Sequence, residues 1–331
     1  MGLDQKITQY IWYSKSKFSY FVACIFFPLS IIYYLLFLLK KIQSNEKSFQ
    51  KKIVCIGNCS VGGDGKTSTV LSLINLYKSR NIKVAVLLKG YKGKIKVPTQ
   101  VNMTSHSAVD VGDEALLYVE HASTFVSNDR LKGINFIIAK FSPDIILIDD
   151  GLQDFRIKKD KSILVINGKR GFGNGFLLPV GPLRQSPSSA MKLADIIIII
   201  GDNKSINLDA YKSKFKNKLF LKAEITCKKN QIDKNYFAFS GIGNNPSFIN
   251  TLNTNNYNLT KIKSFPDHYY YTDNDIKNMK KYATDNDLEI ITTEKDWKRL
   301  NTKQRLGINF LQISLEFSNK EALSQILMQN D

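Results

Sequence analysis

The chain has 331 residues, which is enough for two α/β domains of ordinary size. It carries 47 lysine and arginine residues against 29 aspartate and glutamate residues, a formal net charge of +18. Nucleic acid, an anionic membrane and a phosphate-rich substrate all attract such a surplus. The basic residues are scattered, without the aromatic-interleaved clusters of nucleic-acid-binding segments, so the composition argues against nucleic acid and favours a membrane lipid or a phosphorylated ligand.

The first predicted element is an apolar helix from Phe18 to Leu39. This segment contains no charged residue, and lysines flank it on both sides. Its length suits a bilayer, while Pro28 in its middle also suits a kinked helix lying in the membrane interface. A buried helix of a soluble core is the alternative. We expect a membrane-associated segment over residues 1–50. If the helix spans the bilayer, the larger number of lysines after it than before it predicts that the nucleotide site is cytoplasmic.

The turn after the next strand has the composition of a phosphate-binding loop. Residues 56–68 read IGNCSVGGDGKTS. The glycines free backbone N–H groups to face an anion, the lysine supplies a cation for phosphate, and the threonine that follows offers a hydroxyl to Mg²⁺. A serine stands where the usual pattern has its first glycine, and a plain glycine-rich turn is the alternative. The residues predicted to contact the nucleotide are Ser60, Val61, Gly62, Gly63, Asp64, Gly65, Lys66, Thr67 and Ser68.

Strand-like apolar runs then alternate with helical patterns. Helices are predicted from about Gly65 and Glu114, and strands at 53–57, 83–88, 124–127, 145–149, 162–166 and 195–200. This alternation predicts an α/β fold, a parallel sheet with helices on both faces that contains the phosphate-binding loop. Residues 168–187 are rich in glycine and proline and form a loop of the kind that usually carries function.

A second alternation begins near Leu219. It predicts helices from Pro246 and at 274–285, a last strand and helix after Ile308, and strands at 219–225, 237–240, 258–264 and 288–292. We therefore expect a nucleotide-binding domain over residues 51–205 and a smaller α/β domain over residues 206–331, with a hinge near 205–225.

Two carboxylates end one of the buried strands. Asp149 and Asp150 follow the run from Ile145 to Ile148, where a Walker B carboxylate reaches a cation held through Thr67. A turn or a helix cap is the alternative for this pair. Together with the phosphate-binding loop they predict ATP and Mg²⁺ as cofactors. Composition and spacing alone thus lead to a membrane-associated phosphotransferase or NTPase.

A series of motifs narrows the choice among membrane-associated phosphotransferases and NTPases. In chain order they are GNCSVGGDGKTS, KGYKGK (89–94), VGDEALL (111–117), IDDGLQ (148–153), GNGFLLPVGPLRQ (173–185), FSGIGNNPSF (239–248), FPDHYYYT (265–272) and TTEKDW (292–297). From about Lys51 to Trp297 the chain closely resembles the tetraacyldisaccharide 4′-kinases of lipid A biosynthesis. The resemblance implies transfer of the ATP γ-phosphate to the 4′-hydroxyl of an acylated glucosamine disaccharide 1-phosphate, which forms lipid IVA.

The resemblance also assigns roles to single residues. It implies that Asp113 deprotonates the sugar hydroxyl and that His268 is its partner, although Asp113 by itself also suits the first turn of a helix as an N-cap. Gln153 would belong to the ATP–Mg²⁺ site with the two strand-end aspartates. Tyr91, Arg130 and Arg184 are implied as substrate-binding residues.

Two positions depart from the family pattern. Lys89 stands where many members have arginine, which keeps the charge and loses bidentate geometry. Gln185 replaces a glutamate that commonly follows the arginine matching Arg184, so metal binding would depend more on Thr67, Asp149 and Asp150. A membrane-associated P-loop NTPase of other function is the alternative to a lipid kinase, and a scaffold with an inactive nucleotide site is a third hypothesis.

Overall fold

The computed structural model describes residues 3–14, 16–203, 205–227, 234–243 and 245–329, with side chains from residue 7 onward. The helices of these residues are α1 (Leu3–Tyr13), α2 (Lys17–Ile42), α3 (Lys66–Lys78), α4 (Ala108–Val111), α5 (Asp113–Tyr118), α6 (Arg130–Lys140), α7 (Pro187–Leu193), α8 (Leu208–Lys214), α9 (Asn245–Thr254), α10 (Asp273–Asp285), α11 (Glu294–Arg299), α12 (Thr302–Arg305) and α13 (Lys320–Met328).

The strands of the described residues form two sheets. They are β1 (Lys52–Gly57), β2 (Val84–Leu88), β3 (Thr99–Gln100), β4 (Ser123–Val126), β5 (Ile145–Asp149), β6 (Lys161–Asn167), β7 (Ile196–Ile200), β8 (Leu219–Cys227), β9 (Asn235–Ser240), β10 (Asn258–Ser264), β11 (Glu289–Thr293), β12 (Ile308–Leu311) and β13 (Ile313–Phe317).

The larger sheet has nine strands in the order β13-β8-β7-β6-β1-β5-β2-β4-β3. The pairs from β8 to β4 are parallel, and only the edge strands β3 and β13 pair antiparallel. The side chains of β1 alternate between two hydrophobic cores. Val54 and Ile56 pack on one face of the sheet, and Ile53 and Cys55 pack on the other. The predicted α/β fold, a parallel sheet with both faces covered, is therefore confirmed.

The smaller sheet has four parallel strands in the order β10-β9-β11-β12. It also buries both faces, since Phe237 and Phe239 of β9 join one cluster and Tyr236 and Ala238 join another. The second α/β unit predicted from the sequence is thus present.

The boundary between the two units differs from the predicted one at residue 206. The strand β8 pairs with β7, with Leu221 opposite Ile198, and β13 returns to pair antiparallel with β8. Leu323 and Leu327 of α13 lie in the core of the larger sheet. The smaller sheet is therefore an insertion between β8 and β13, because the chain leaves the larger sheet only after β8 and returns to it at its carboxyl end.

The helix α2 lies against the outside of the larger unit. Among the described residues it alone is long and apolar enough to cross a membrane, a criterion of length and composition that a signal sequence or a soluble core helix also meets. Only 11% of its most apolar window is buried, and Phe18, Phe21 and Leu36 are each at least 60% exposed. A helix of a soluble core would bury these side chains, so the burial argues against that alternative.

The position of α13 leads to a stability prediction. Leu323 is fully buried, whereas Gln325 on the same helix is exposed. Leu323→Ala should lower the free energy of unfolding by about 2–5 kcal/mol through the cavity it leaves, and Gln325→Ala should change it by less than about 0.5 kcal/mol. Urea denaturation measures both. Equal, small effects would show that the carboxyl-terminal helix is not part of the larger core.

Candidate active site

The loop predicted to hold phosphate joins β1 to α3. Gly65 caps the helix with a φ of 92° and Gly62 has a φ of 127°, values that residues with a side chain rarely adopt. A Cβ on Gly65 would also come within 2.4 Å of Ile200 Cδ1. The two glycines therefore allow a tight turn that ends at a helix N-terminus, where free N–H groups favour an anion.

Asp64 stabilises this loop from inside. Its Oδ2 accepts hydrogen bonds from Asn58 Nδ2 at 2.6 Å and from Ser60 Oγ, and the residue is buried. Ser60 thus has a structural partner that glycine would lack, which gives a physical reason for the unusual residue at this position. Gln153 Nε2 donates to Asn58 O at 2.7 Å. The observed contacts of Asp64 and Gln153 are with the loop, and their contact with a nucleotide stays a prediction.

Asp149 is the buried carboxylate at the end of β5. Tyr118 donates its hydroxyl to Asp149 Oδ2 at 2.8 Å, while Oδ1 is buried without a hydrogen-bond partner among the described residues. Burial, and after it the Glu114 carboxylate, raises the pKa of Asp149 to about 7 against the opposing effects of Lys66 and Tyr118. An unpartnered oxygen on a buried carboxylate is costly unless a cation or proton joins it.

Asp150, the next residue, has the opposite environment. Lys66 Nζ lies 3.4 Å from its Oδ1, and Arg184 Nη1 lies 2.8 Å from the same oxygen and 3.0 Å from Oδ2. Burial raises the pKa of Asp150, but Lys66 and Arg184 outweigh it and hold the pKa below its usual value. The lysine of the phosphate-binding loop and the arginine of the 168–187 loop thus converge on one carboxylate at the carboxyl edge of the sheet.

The predicted ligands of Mg²⁺ lie around this edge. Thr67 Oγ1 donates to Glu114 Oε1 at 3.4 Å, and Glu114 is near enough to Asp149 to raise its pKa. Hydroxyl and carboxylate oxygens are the ligands that Mg²⁺ prefers. The unpartnered Oδ1 of Asp149 therefore fits a hard cation, and Thr67, Asp149 and Asp150 are the residues that would hold it.

Arg130 binds the backbone at the end of β5. Its Nη2 donates to the backbone oxygens of Asp149 at 3.2 Å and Asp150 at 2.7 Å, and its Nη1 lies 3.6 Å from Asp154 Oδ2. The residue is only 4% exposed, and its Nε has no hydrogen-bond partner among the described residues. These contacts fix the backbone at the end of β5, and the predicted contact of Arg130 with the substrate stays a prediction.

Asp113 and His268 meet across the two units. His268 Nδ1 lies 3.0 Å from Asp113 Oδ2. The helix α5 takes Gly112 as its N-cap, without a side-chain cap, so the N-cap alternative for Asp113 is wrong. His268 comes from the smaller unit, where its N–H donates to Gly241 O at 3.0 Å and its φ is 59°. The structure thus brings together two residues that are far apart in the sequence.

Two cations beside this pair were missed by the sequence reasoning. Arg299 donates to Asp113 Oδ2 through Nε at 3.0 Å and also through Nη2, and Lys295 Nζ lies 3.8 Å from the same oxygen. Burial raises the pKa of Asp113, but Lys295, His268 and Arg299 together hold it well below its usual range. Both cations lie on α11, and their i, i+4 spacing on one helix face was the available signal.

The remaining predicted residues lie around this centre. Tyr91 is 67% exposed, and its ring centroid lies 5.7 Å from that of His268. Lys89 is exposed to solvent over much of its surface. Its pKa is lowered by partial desolvation of the ammonium group and, after that, by the positive charges of Arg130 and Lys40. Gln185 is buried, with neither amide atom hydrogen-bonded among the described residues. The glutamine therefore lies inside the wall of the site and adds no charge to it.

The carboxyl edge of the parallel sheet carries a phosphate-binding loop, two strand-end carboxylates and an aspartate–histidine pair. Together these features define an ATP-dependent phosphotransferase of the P-loop class. Comparison with known proteins gives the family. Residues 22–330 match the family described as Tetraacyldisaccharide-1-P 4'-kinase. The chain therefore belongs to the tetraacyldisaccharide 4′-kinase family.

Individual relatives agree with this assignment. The Tetraacyldisaccharide 4'-kinase of Rickettsia bellii is 36% identical over 310 residues, covering 94% of this chain and 95% of the relative. The Tetraacyldisaccharide 4'-kinase of Rickettsia conorii is 36% identical over 306 residues, covering 92% and 94%. The crystal structure of LpxK from Aquifex aeolicus in complex with ATP has a TM-score of 0.76 at 26% identity, covering 92% of this chain and 98% of that one.

The raised pKa of Asp149 predicts how stability depends on pH. In the unfolded chain this carboxyl has a pKa of about 4. Between about pH 4 and pH 7 the folded state therefore binds more protons than the unfolded state, and its stability falls as the pH rises. Asp149→Asn removes this loss and still accepts the Tyr118 hydrogen bond. In the absence of nucleotide and with a chelator present, the urea midpoint of Asp149→Asn should exceed that of the unchanged protein by more at pH 8 than at pH 5.

Asp150→Asn is the control for this measurement. Its carboxylate is paired with Lys66 and Arg184, so its removal should give no gain at either pH. A stability difference between Asp149→Asn and the unchanged protein that is the same at pH 5 and pH 8 would contradict the account of Asp149.

Proposed function

We propose that this chain transfers the γ-phosphate of ATP to the 4′-hydroxyl of a tetraacyldisaccharide 1-phosphate, forming lipid IVA in lipid A biosynthesis. The observation that carries the proposal is the Asp113–His268 contact of 3.0 Å. It lies one residue from Glu114, which accepts a hydrogen bond from Thr67 of the phosphate-binding loop. A proton acceptor and a phosphate cradle thus share one site, as phosphoryl transfer to a hydroxyl requires.

Asp113 acts as the acceptor of the hydroxyl proton. Its lowered pKa keeps it ionised at neutral pH, so it is ready to accept a hydrogen bond from an alcohol. The contact with His268 gives the proton a second acceptor, and an aspartate with a neighbouring histidine can pass a proton in this way. Arg299 and Lys295 hold the carboxylate in place between the two units.

The phosphate end of ATP would lie against the turn that ends at Gly65, with Lys66 and Arg184 close to the γ-phosphate. Both side chains now contact Asp150, and both can exchange this contact for phosphate oxygens. Thr67, Asp149 and Asp150 would hold Mg²⁺, which when bound neutralises charge on the β- and γ-phosphate oxygens. This chain's own contribution is to position the two cations on one side of the reacting phosphate and Asp113 on the other.

The acceptor is proposed to reach the site from an inner membrane. The exposed apolar helix α2 docks onto the 168–187 loop: Ser30 Oγ donates to Leu177 O at 2.7 Å, and Tyr33 donates its hydroxyl to Arg184 O at 3.2 Å. The rings of Phe27 and Phe176 pack edge to face at 5.7 Å. A helix that enters lipid would therefore hold Arg184 beside the membrane surface, where a lipid-linked sugar is available to Arg184 and Tyr91. The predicted contact of the buried Arg130 with the substrate would require it to leave its contacts at the end of β5. The lysine bias around the helix supports a cytoplasmic site.

A membrane-associated NTPase of other function has less support. Hydrolysis requires a positioned water molecule and does not require a binding site for an acylated sugar. Neither relative described above has a name of that kind, and hydrolysis alone gives no reason for an apolar helix beside Arg184.

Asp113→Asn tests the proposal. It preserves the size of the side chain and removes the base, so transfer of phosphate to the lipid acceptor, measured per folded molecule, should fall by about 10²–10⁴-fold. The folded molecules should still bind ATP, and the loss of the buried ion pair with Arg299 should lower the stability. Radiolabel transfer and thermal unfolding measure the two properties.

Asp110→Asn is the matched control. Asp110 accepts hydrogen bonds from the N–H and hydroxyl of Ser107 and caps α4. Its replacement should lower the stability only slightly and leave transfer unchanged. Transfer by Asp113→Asn at a rate close to that of Asp110→Asn would contradict the role of Asp113 as base.

A further inference from the structure

The pocket in front of Asp113 has room for little more than a hydroxyl group. Its volume is about 10 Å³, close to the smallest space that holds one water molecule. Asp113 and the guanidinium of Arg299 lie at its buried inner end, whereas the exposed Tyr91, Lys92 and Tyr270 line its mouth. An acceptor whose hydroxyl reaches Asp113 therefore has its sugar ring beside these three side chains.

The turn formed by residues 90–93 holds two of these side chains in place. The N–H of Gly93 donates to Gly90 O at 2.9 Å and closes the turn. A Cβ on Gly112 would lie 2.7 Å from Tyr91 O, so the turn packs directly against the backbone of the residue that precedes the proposed base. Because these contacts are between backbone atoms, the turn is positioned before any ligand binds.

Lys92 has an unusual backbone conformation within this turn. Its φ is 61°, in the left-handed region that favours glycine and asparagine over a residue such as lysine. Glycine would adopt this conformation with less strain, so what lysine adds at this position is its ammonium group. Conformations of this kind cluster at ligand-binding sites, and an observed outlier supports a hypothesis of function.

The Lys92 ammonium is available to an anion from outside the chain. The side chain is exposed and forms no ion pair with another residue of the described ranges. Arg299, the other lysine or arginine that lines the pocket, is paired with Asp113 and Asp296. An anion at the mouth of the pocket would thus meet the charge of Lys92.

Tyr270 differs from the two tyrosines beside it. Tyr271 is buried and donates its hydroxyl to Asp296 at 2.9 Å, and Tyr269 donates its hydroxyl to Asp275 at 3.1 Å. Tyr270 is 50% exposed, and its hydroxyl has no hydrogen-bond partner in the part of the chain that the structure describes. Its neighbours thus stabilise the smaller unit, while Tyr270 leaves an aromatic face beside the pocket.

We propose that Tyr270 and Lys92 recognise the acceptor lipid: the Tyr270 ring packs against the sugar whose hydroxyl reaches Asp113, and Lys92 binds a phosphate of the lipid. The inference rests on the proposed function, which supplies both the sugar and the phosphate. An aromatic ring offers an apolar face to a sugar, and an ammonium group binds phosphate as a point charge. Tyr91 comes from the larger unit and Tyr270 from the smaller one, so the sugar would lie between the units.

Two phosphates of the lipid have the chemistry that Lys92 would bind. They are the 1-phosphate of the acceptor and the 4′-phosphate that transfer creates. Three radiolabelled probes in detergent without ATP distinguish them: the acylated disaccharide, its 1-phosphate and its 1,4′-bisphosphate.

Lys92→Gln tests the phosphate contact in the full chain, with Lys94→Gln as the matched control. Lys94 is exposed on the same segment and does not line the pocket. Lys92→Gln should raise the dissociation constant of a phosphorylated probe about tenfold and leave that of the phosphate-free probe unchanged. Lys94→Gln should change none of the three constants, and Lys92→Arg, which keeps the charge, should retain the affinity.

The two phosphates give different patterns of loss. A loss for both phosphorylated probes assigns Lys92 to the 1-phosphate, and a loss confined to the bisphosphate assigns it to the 4′-phosphate. Lys92→Gly is a second variant without the ammonium group, and glycine suits the φ of 61°. It should fold and reproduce the loss even where Lys92→Gln does not fold.

Tyr270→Ala and Tyr270→Phe test the sugar contact. Removal of the ring should raise the dissociation constants of all three probes by about fivefold or more, and Tyr270→Phe, which keeps the ring, should leave them within about twofold. Thermal unfolding without ligand establishes that each variant is folded.

The inference would be overturned by equal affinities of Lys92→Gln and Lys94→Gln for both phosphorylated probes, by an equal loss for the phosphate-free probe, or by unchanged affinities in folded Tyr270→Ala. Because binding is measured without ATP, these results do not depend on transfer. Any of them, together with labelled lipid from the unchanged protein and γ-labelled ATP, would refute the inference alone. A selective loss for phosphorylated probes, in a protein that transfers no label to lipid, would refute the proposed function alone.

Discussion

The charge network around Asp113 is the contact on which the geometry of the site depends. Asp113 begins α5 beside the larger sheet, whereas His268, Lys295 and Arg299 belong to the inserted smaller unit. Arg299 also donates to Gly241 O at 2.7 Å and pairs with Asp296, so the arginine that holds the carboxylate is itself fixed. Removing either side of this network would leave a buried charge without a partner, which is far more costly than losing a surface ion pair. The insertion therefore completes the site and holds it together.

Two aspartates of the same site have opposite electrostatic environments. Asp149 is buried and lies near the Glu114 carboxylate, and both raise its pKa to about 7. Asp113 is buried as well, but the cations beside it hold its pKa well below the usual range. A carboxylate that is unstable alone attracts a cation, and a carboxylate that stays ionised accepts a hydrogen bond from a hydroxyl. The different tasks proposed for them thus follow from their neighbours, since the side chains are chemically identical.

Much of the larger sheet follows from local patterns in the sequence. Runs such as Ile196–Ile200 can only be buried on both faces, and the glycine-rich turn after β1 identifies the phosphate-binding loop. The end of the chain could not be assigned in the same way, because β13 pairs with β8 across the whole inserted unit and no local pattern records that pairing. Arg299 was missed for a related reason. Its partner Asp113 is far away in the sequence, and only the folded insertion brings them together.

The central claim is that both units act as one site that delivers phosphate to a lipid-linked sugar. The measurement that tests it most directly follows γ-labelled ATP in detergent with an acylated glucosamine disaccharide 1-phosphate as acceptor. The account predicts labelled lipid in proportion to the ADP that is formed, with label at the 4′ position. Label that appears only as inorganic phosphate, with the lipid unlabelled, would contradict it.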